Sequence, residues 1–296
     1  MNMNQPKSDY IKLFIIWGIV FTGFLVAIFM GPSYLKNLVS KDPHSYFLQG
    51  DQYYREGNYH QAIAYFNKAI ELKPNDLNYN KSLGMAYQKN NQFDKAIGVF
   101  SVILKIEPKN QDLWNLLAWS YYNKSDYSNA LVCWEKLAEI APQASQGFSG
   151  MARVYSTQRQ WKKAIPNYEK AVAITPSDWN SYYEKGLCYL SLDNNSQAVK
   201  DFTKVIEINP KHDDSYYRLG LIEITNKNWD KAVGWLDKAH ELAPQNQYYI
   251  RDLATAYIHR NKGNDKQKAQ SLLKDLLKKN PNDIDALNRL KQLTSQ

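Results

Sequence analysis

The sequence has little of what most catalytic or metal-binding chains need. It holds two cysteines, Cys133 and Cys188, with no CxxC spacing, and five histidines (His44, His60, His212, His240, His259) that form no paired ligand pattern. That excludes a disulfide framework and offers no ligand set for a structural or catalytic metal. Both cysteines sit among apolar residues and are expected to be small buried hydrophobes. GxSxG, HExxH, GxGxxG and Walker-type loops are missing. The nearest fragment, Gly147-Phe-Ser-Gly150, lacks the spacing of a nucleophile elbow, and Asp213-Asp214 reads as a pair of helix caps. No compact Lys/Arg run occurs although the net charge is +8; residues 247–296 carry 10 basic and 5 acidic side chains, mixed as on a solvated face. Neither nucleic acid nor a cofactor is therefore expected, and no catalytic role.

Long hydrophobic runs are missing too, with one exception. Leu13 to Gly31 reads LFIIWGIVFTGFLVAIFMG, without a single charge. A helix of that length spans about 28 Å, close to the hydrocarbon thickness of a bilayer. Trp17, Tyr10 and Tyr34 suit the interfaces, and Pro32 marks the exit. The alternatives are a buried core helix, which no later segment is apolar enough to wrap, and a cleaved signal peptide, whose apolar region is normally shorter. The expected organisation is an N-terminal tail over 1–12, a single-pass transmembrane helix over 13–31 and a linker over 32–42. Lys7 and Lys12 precede the span and Lys36 and Lys41 follow it, so the positive-inside count is a tie. The short tail favours an array outside the cytoplasm. Gly23 and Ala27 form a small-xxx-small pair through which two anchors could associate.

What the sequence does have is a repeat. Pro74, Pro108, Pro142, Pro176, Pro210 and Pro244 recur at one constant interval, and Pro281 arrives three positions late. Alanine lies twelve residues before each proline (Ala62, Ala96, Ala130, Ala164, Ala198, Ala232, Ala269), and a bulky apolar residue eight before (Phe66, Phe100, Trp134, Tyr168, Phe202, Leu236, Leu273). A tyrosine column runs through the first helix of the first five copies, Tyr53, Tyr87, Tyr121, Tyr155 and Tyr189; Glu223 breaks it. Each period holds two apolar-periodic stretches with a short polar break between them, which predicts a helix hairpin. Small residues let the two helices cross closely, the aromatic column fills space between neighbouring hairpins, and proline stops the second helix. A fixed period of this length means a stacked array.

Leu83, Gly84, Tyr87, Ala96, Phe100 and Pro108, and again Trp114, Leu117, Ala118, Tyr121, Ala130, Trp134 and Pro142, make the chain resemble the tetratricopeptide repeat (TPR) family. The pattern departs at Asn80, which lacks an aromatic, and at Gln49 and Lys185, which replace leucine. The resemblance implies an all-α, right-handed superhelical α-solenoid of seven hairpins over residues 43–283. The three-residue insertion falls in the inner loop of the seventh. A capping helix over 284–296 would bury Ile284, Leu287, Leu290 and Leu293.

In that family the first helices line a groove that binds partner segments. Carrying the phase over points to Phe47, Tyr54, Trp119, Tyr122, Ser149, Arg153, Tyr183, Tyr217, Tyr248 and Arg251, with Arg218 one position aside. Gly147, Ser149, Gly150, Ser156 and Thr157 make the fourth first-helix small-sided. One account is a dip with Arg153 at its floor, suited to an acidic or carboxylate-bearing segment. The other is that the small residues tune curvature and Arg153 pairs with Glu184. The Lys/Asn/Arg clamp of chaperone-docking members does not match, because Met85 and Leu116 stand where asparagine is required. The expected function is a membrane-anchored scaffold or receptor for a protein or peptide segment, in a bacterial inner membrane. The rivals are a cleaved soluble adaptor and a regulatory subunit binding an enzyme or RNA through the basic C-terminal end.

Overall fold

A helix forms wherever the repeat register places one, because the register supplies both of its ends. In the computed structural model, which describes residues 42–294, fifteen α-helices follow one another, and no strand occurs among the described residues. They are α1 (Pro43–Arg55), α2 (Tyr59–Leu72), α3 (Leu77–Lys89), α4 (Phe93–Ile106), α5 (Gln111–Asn123), α6 (Tyr127–Ile140), α7 (Ser145–Thr157), α8 (Trp161–Ile174), α9 (Trp179–Ser191), α10 (Asn195–Ile208), α11 (Asp213–Thr225), α12 (Trp229–Leu242), α13 (Gln247–Arg260), α14 (Asp265–Lys279) and α15 (Ile284–Thr294). The chain divides into two compact units, one ending at Asp126 and the other beginning at Tyr127. Helices α1–α5 belong to the first and α6–α15 to the second. The tail, the expected transmembrane segment 13–31 and the linker up to residue 41 lie outside the described residues. Among the described residues no helix is long and apolar enough to cross a membrane.

Six of the inner turns share one chemistry. A single residue of positive φ follows the first helix at Gly57, Asn91, Ser125, Arg159, Asp193 and Lys227, all in one phase of the repeat. The next N–H then bonds five residues back, as Asn58 to the Tyr53 carbonyl and Gln92 to that of Tyr87, closing a Schellman turn. Only Gly57 of the six is glycine, so the turn is held by these bonds and by packing rather than by glycine's freedom. In the seventh hairpin the insertion replaces this turn with Asn261 (φ 47°) and Gly263 (φ 53°). The outer turns follow the prolines. Asp42, Asp76, Asn110, Asp178, His212 and Asn246 cap the next first helix by accepting a first-turn N–H on the side chain. His212 holds that role for α11, so Asp213-Asp214 does not.

Within each unit a first helix packs on its own second helix and on the second helix before it. The alanine column is fully buried, and so is the bulky column from Phe66 to Leu273. The glycines of the first helices admit that column. A Cβ at Gly84 would lie 2.5 Å from the Phe100 ring, and one at Gly186 2.8 Å from that of Phe202. Gly98 and Gly234 differ: both are exposed inside helices, and a Cβ there would meet nothing within 4 Å. Gly98→Ala and Gly234→Ala are expected to stabilise the fold by about 0.5–1 kcal/mol each. Urea denaturation midpoints check this.

The capping helix forms, but on a different face from the one expected. Ala286 is fully buried and Leu293 nearly so, with Leu290 packed on the same cluster, whereas Ile284 is 70% exposed and Leu287 36%. The small side chain of Ala286 allows close approach, and Asp283 caps the helix by accepting the Ala286 N–H at 3.0 Å. These two contacts set the rotation that turns Ile284 outward.

Candidate functional site

The first-helix face is where polar and aromatic side chains remain partly exposed in successive hairpins. In the first unit Phe47 stacks on Tyr79 (4.8 Å, 22°) and leans on Phe66, so it serves packing between hairpins. Tyr54 meets Tyr59 edge-on at 5.4 Å, and burial, then Tyr59, pushes its phenol above the ordinary range. Trp119 and Tyr122 form an edge-to-face pair at 5.5 Å. Trp119 also lines a cavity of about 430 Å³ together with Phe93, Gln88, Lys89, Asn91 and Asn123. The cavity is held open by fixed amides. Gln88 donates to the Leu116 carbonyl and to Ser120 Oγ (3.1 Å each), and Asn123 donates to the Trp119 carbonyl at 2.8 Å.

In the second unit the same face is tied together by carboxylates. Tyr183 Oη donates to Asp214 Oδ2, and Arg218 Nε donates to the same oxygen at 3.1 Å. Tyr217 Oη donates to Asp252 at 2.8 Å, and Tyr249 Oη to Asp213 at 3.0 Å. Burial, reinforced by these carboxylates, raises all three phenols well above their ordinary value, so they stay protonated donors. Arg251 bonds Asp285 at 3.0 Å and lies 5.0 Å over the ring of Tyr248, which is 65% exposed. A rule emerges in one phase. The side chain seven residues after a repeat proline reaches the acid four residues after the next one: Lys81 to Asp112 at 3.5 Å, Tyr183 to Asp214, Arg251 to Asp285. Sequence reading missed these acids because one aspartate in a first turn looks like a cap. A tyrosine or cation roughly one repeat upstream was the available signal.

The glycines of the fourth first-helix are spent on packing rather than on a dip in the face. Gly147 and Gly150 of α7 are buried and face α6. A Cβ at Gly150 would lie 2.2 Å from the Trp134 indole, and one at Gly147 3.0 Å from the Ala138 amide. The small residues make room for Trp134 and a close helix crossing. Ser149 is half-buried, its hydroxyl 3.4 Å from the Gln146 carbonyl. Arg153 Nη1 lies 3.4 Å from Glu184, the alternative partner named from the sequence. Arg153, Arg218 and Arg251 thus all face carboxylates. Among the described residues no group of three or more His, Cys, Asp or Glu side chains could hold a metal ion. Ser149 sits mid-helix on α7, with no strained turn to activate it.

Comparison with known proteins agrees with this architecture. Four family models described as tetratricopeptide repeat match residues 53–120, 111–143, 179–212 and 253–283. No curated protein matches. Among solved structures, the C-terminal part of a TPR repeat-containing protein from Cytophaga hutchinsonii superposes with a TM-score of 0.66 at 20% identity, covering 82% of this chain and 99% of that one. Pseudomonas aeruginosa pilF gives 0.59 at 17% identity, over 72% and 97%. YrrB, described as a TPR protein with an unusual peptide-binding site, gives 0.50 at 23% identity, over 62% and 95%. Identities this low speak for the fold alone. Helix hairpins in one constant register, the buried alanine and aromatic columns and the four matched segments lead to one assignment: the chain belongs to the tetratricopeptide repeat family.

Proposed function

We propose that the protein is a non-enzymatic scaffold that holds a segment of a partner protein on its first-helix face, and that residues 13–31 anchor it in a membrane. The observation that carries the binding role is the Trp119 cavity. An indole and a phenyl ring flank about 430 Å³ of space lined otherwise by amides and the Lys89 side chain. That chemistry suits an apolar or aromatic anchor side chain on a partner, with amides beside it for the partner's backbone. YrrB and its peptide-binding site support the reading by likeness of fold. The acidic segment suggested by Arg153 is less well supported, since Glu184 already faces that guanidinium.

The anchor is argued from the uncharged run Leu13 to Gly31 and its aromatic flanks. A bilayer-bound array, in a bacterial inner membrane and facing away from the cytoplasm, would raise its effective concentration for membrane complexes. Protease accessibility of the array in sealed vesicles tests the side. The mass of the mature N-terminus separates an anchored protein from a cleaved, soluble adaptor.

For the partner site, a photo-crosslinking residue at Asn123, beside Trp119, is expected to give a discrete adduct in intact cells. The same probe at Val102, exposed on α4, is expected to give none. Trp119→Ala should abolish the adduct and weaken binding of the captured partner by about 30-fold, the loss of a hot spot worth about 2 kcal/mol. Equal adducts from both probes, or an adduct indifferent to Trp119→Ala, would overturn the assignment.

A further inference from the structure

Another cavity among the described residues lies within the second unit, where two successive inner turns meet. It encloses about 390 Å³ and is lined by Lys227, Asn228, Trp229, Asp230, Lys231, Arg260 and Lys262. Four of these seven side chains are cations. Two are held by acids. Arg260 makes a bidentate pair with the buried Asp265 (2.7 and 2.8 Å), and Lys262 Nζ reaches Asp230 at 2.7 Å. Lys227 and Lys231 make no ion pair with any described residue. The surplus charge is therefore local, and it faces a cavity.

The cavity has rigid walls. Asp265 also accepts the Lys262 N–H at 2.9 Å, so one buried carboxylate fixes both the Arg260 fork and the inserted turn. Trp229 stacks on His259 at 4.5 Å and 15°. The left-handed backbone of Lys227 (φ 59°) is set by the turn column. Asn228 spends its side-chain amide on Glu223 at 2.8 Å and does not cap α12, which leaves the first-turn N–H groups of that helix open beside the lysines.

The repeat supplies an internal comparison. One period earlier, Lys227 and Lys231 correspond to Asp193 and Gln197; two earlier they correspond to Arg159 and Lys163, but there the following turn offers Leu192 and Asp193. Among the described residues, four cations line one cavity where the three-residue insertion carries Lys262 into the turn. Packing of the stack does not require this, since the other hairpins stack without it.

We infer that this cavity is a binding site for a phosphate group. A single carboxylate would leave most of the volume and half of the cations unused. A phosphate brings up to two charges and at least three acceptor oxygens to donors converging from two turns. The Lys262–Asp230 pair, exposed on both sides (65% and 66%), is worth little and can be exchanged for a phosphate oxygen. The phosphate can come from a soluble compound or from a lipid headgroup; the chemistry of the site is the same.

The test is calorimetric titration of the full chain with inorganic pyrophosphate at fixed chloride ionic strength. Saturable binding is expected. Lys227→Glu/Lys231→Glu should weaken it by about tenfold or more, Lys163→Glu on the fourth hairpin should not change it, and Asp230→Asn should tighten it by releasing Lys262. The gain in Asp230→Asn cannot come from misfolding. Unsaturable binding, or binding indifferent to the double reversal, overturns the site. Co-sedimentation with phosphatidylcholine vesicles, with and without phosphatidic acid, separates the sources, because residues 13–31 contribute equally to wild type and variant. For a headgroup, phosphatidic acid recruits wild type more than the double variant, and pyrophosphate competes. For a soluble ligand, the vesicle difference vanishes and the calorimetric one persists.

Discussion

Lys185→Leu should destabilise the second unit by about 3 kcal/mol at pH 8, although leucine is what the repeat pattern asks for at that position. Lys185 Nζ lies 3.1 Å from Asp201 Oδ1, and the two side chains are only 11% and 8% exposed. The other Asp201 oxygen has no hydrogen-bond partner. Leucine would bury more apolar surface but strand the carboxylate in the crossing of α9 and α10. Removing both charges, as in Lys185→Leu/Asp201→Val with the valine that Val99 supplies at a comparable position three repeats earlier, should recover the loss or exceed wild type, because a buried pair recovers its desolvation cost poorly. A double variant as unstable as the single one would show that the pair is not the cause.

The same pair predicts a pH dependence. Burial pushes the Asp201 carboxyl up to about 6 from its ordinary 3.8, outweighing the opposing pull of Lys185. A folded-state pKa above the unfolded one means that, between about pH 4 and 6, the folded chain binds a proton that the unfolded chain has released. Stability from this group is therefore present at low pH and falls as pH rises through that window, by up to about 3 kcal/mol. Asp201→Asn should flatten that part of the profile. The deficit of Lys185→Leu should shrink to about 1 kcal/mol or less at pH 5, where the stranded carboxyl is neutral. Urea denaturation at pH 5 and 8 reads both effects.

The hairpins were legible because their determinants are local and repeated. Pro74 ends one helix, Asp76 caps the next, and Ala62 and Phe66 meet at a crossing that recurs with the period. Two features were not legible, and each depends on a contact between hairpins. The last helix rotates because Ala286, rather than Ile284, fits against α13 and α14. Asp214 looks like a cap until Tyr183, in the hairpin before, is seen to donate to it. The pairing of Arg153 with Glu184 was legible as one of two alternatives, and the neighbouring hairpin decides between them. A register of one chain gives the phase of each side chain; which neighbour it meets depends on the stagger of the next hairpin. The Trp119 cavity was half visible. The phase picked out Trp119, but Phe93 opens a different helix and had no reason to be paired with it.

Gly150→Ala should likewise invert the usual rule, costing about 1–3 kcal/mol where a helical glycine-to-alanine change normally gains about 1. The cause is steric and specific to Trp134. In the other repeats the residue sixteen after the bulky column is Ser82, Leu116, Glu184, Arg218 or Asp252, all tolerated beside Phe, Tyr or Leu. Only where the column holds tryptophan does that position hold glycine, and there a Cβ would sit 2.2 Å from Cε2 and 2.3 Å from Cδ2, the bond shared by the two rings of the indole. Trp134 is fully buried and cannot swing aside. Trp134→Phe, which installs the residue of the first, second and fifth repeats, replaces the fused rings with one smaller ring and leaves a void, at a cost of about 1–3 kcal/mol by itself. In that background the methyl of Gly150→Ala fills part of the void and recovers alanine's helix propensity. The double variant should therefore be more stable than Trp134→Phe alone, with a favourable coupling of more than about 1 kcal/mol in the double-mutant cycle. Additive losses would mean that Gly150 is required by the α6–α7 backbone approach at Gly147 rather than by the indole, and that the fourth first-helix is small-sided for the crossing alone.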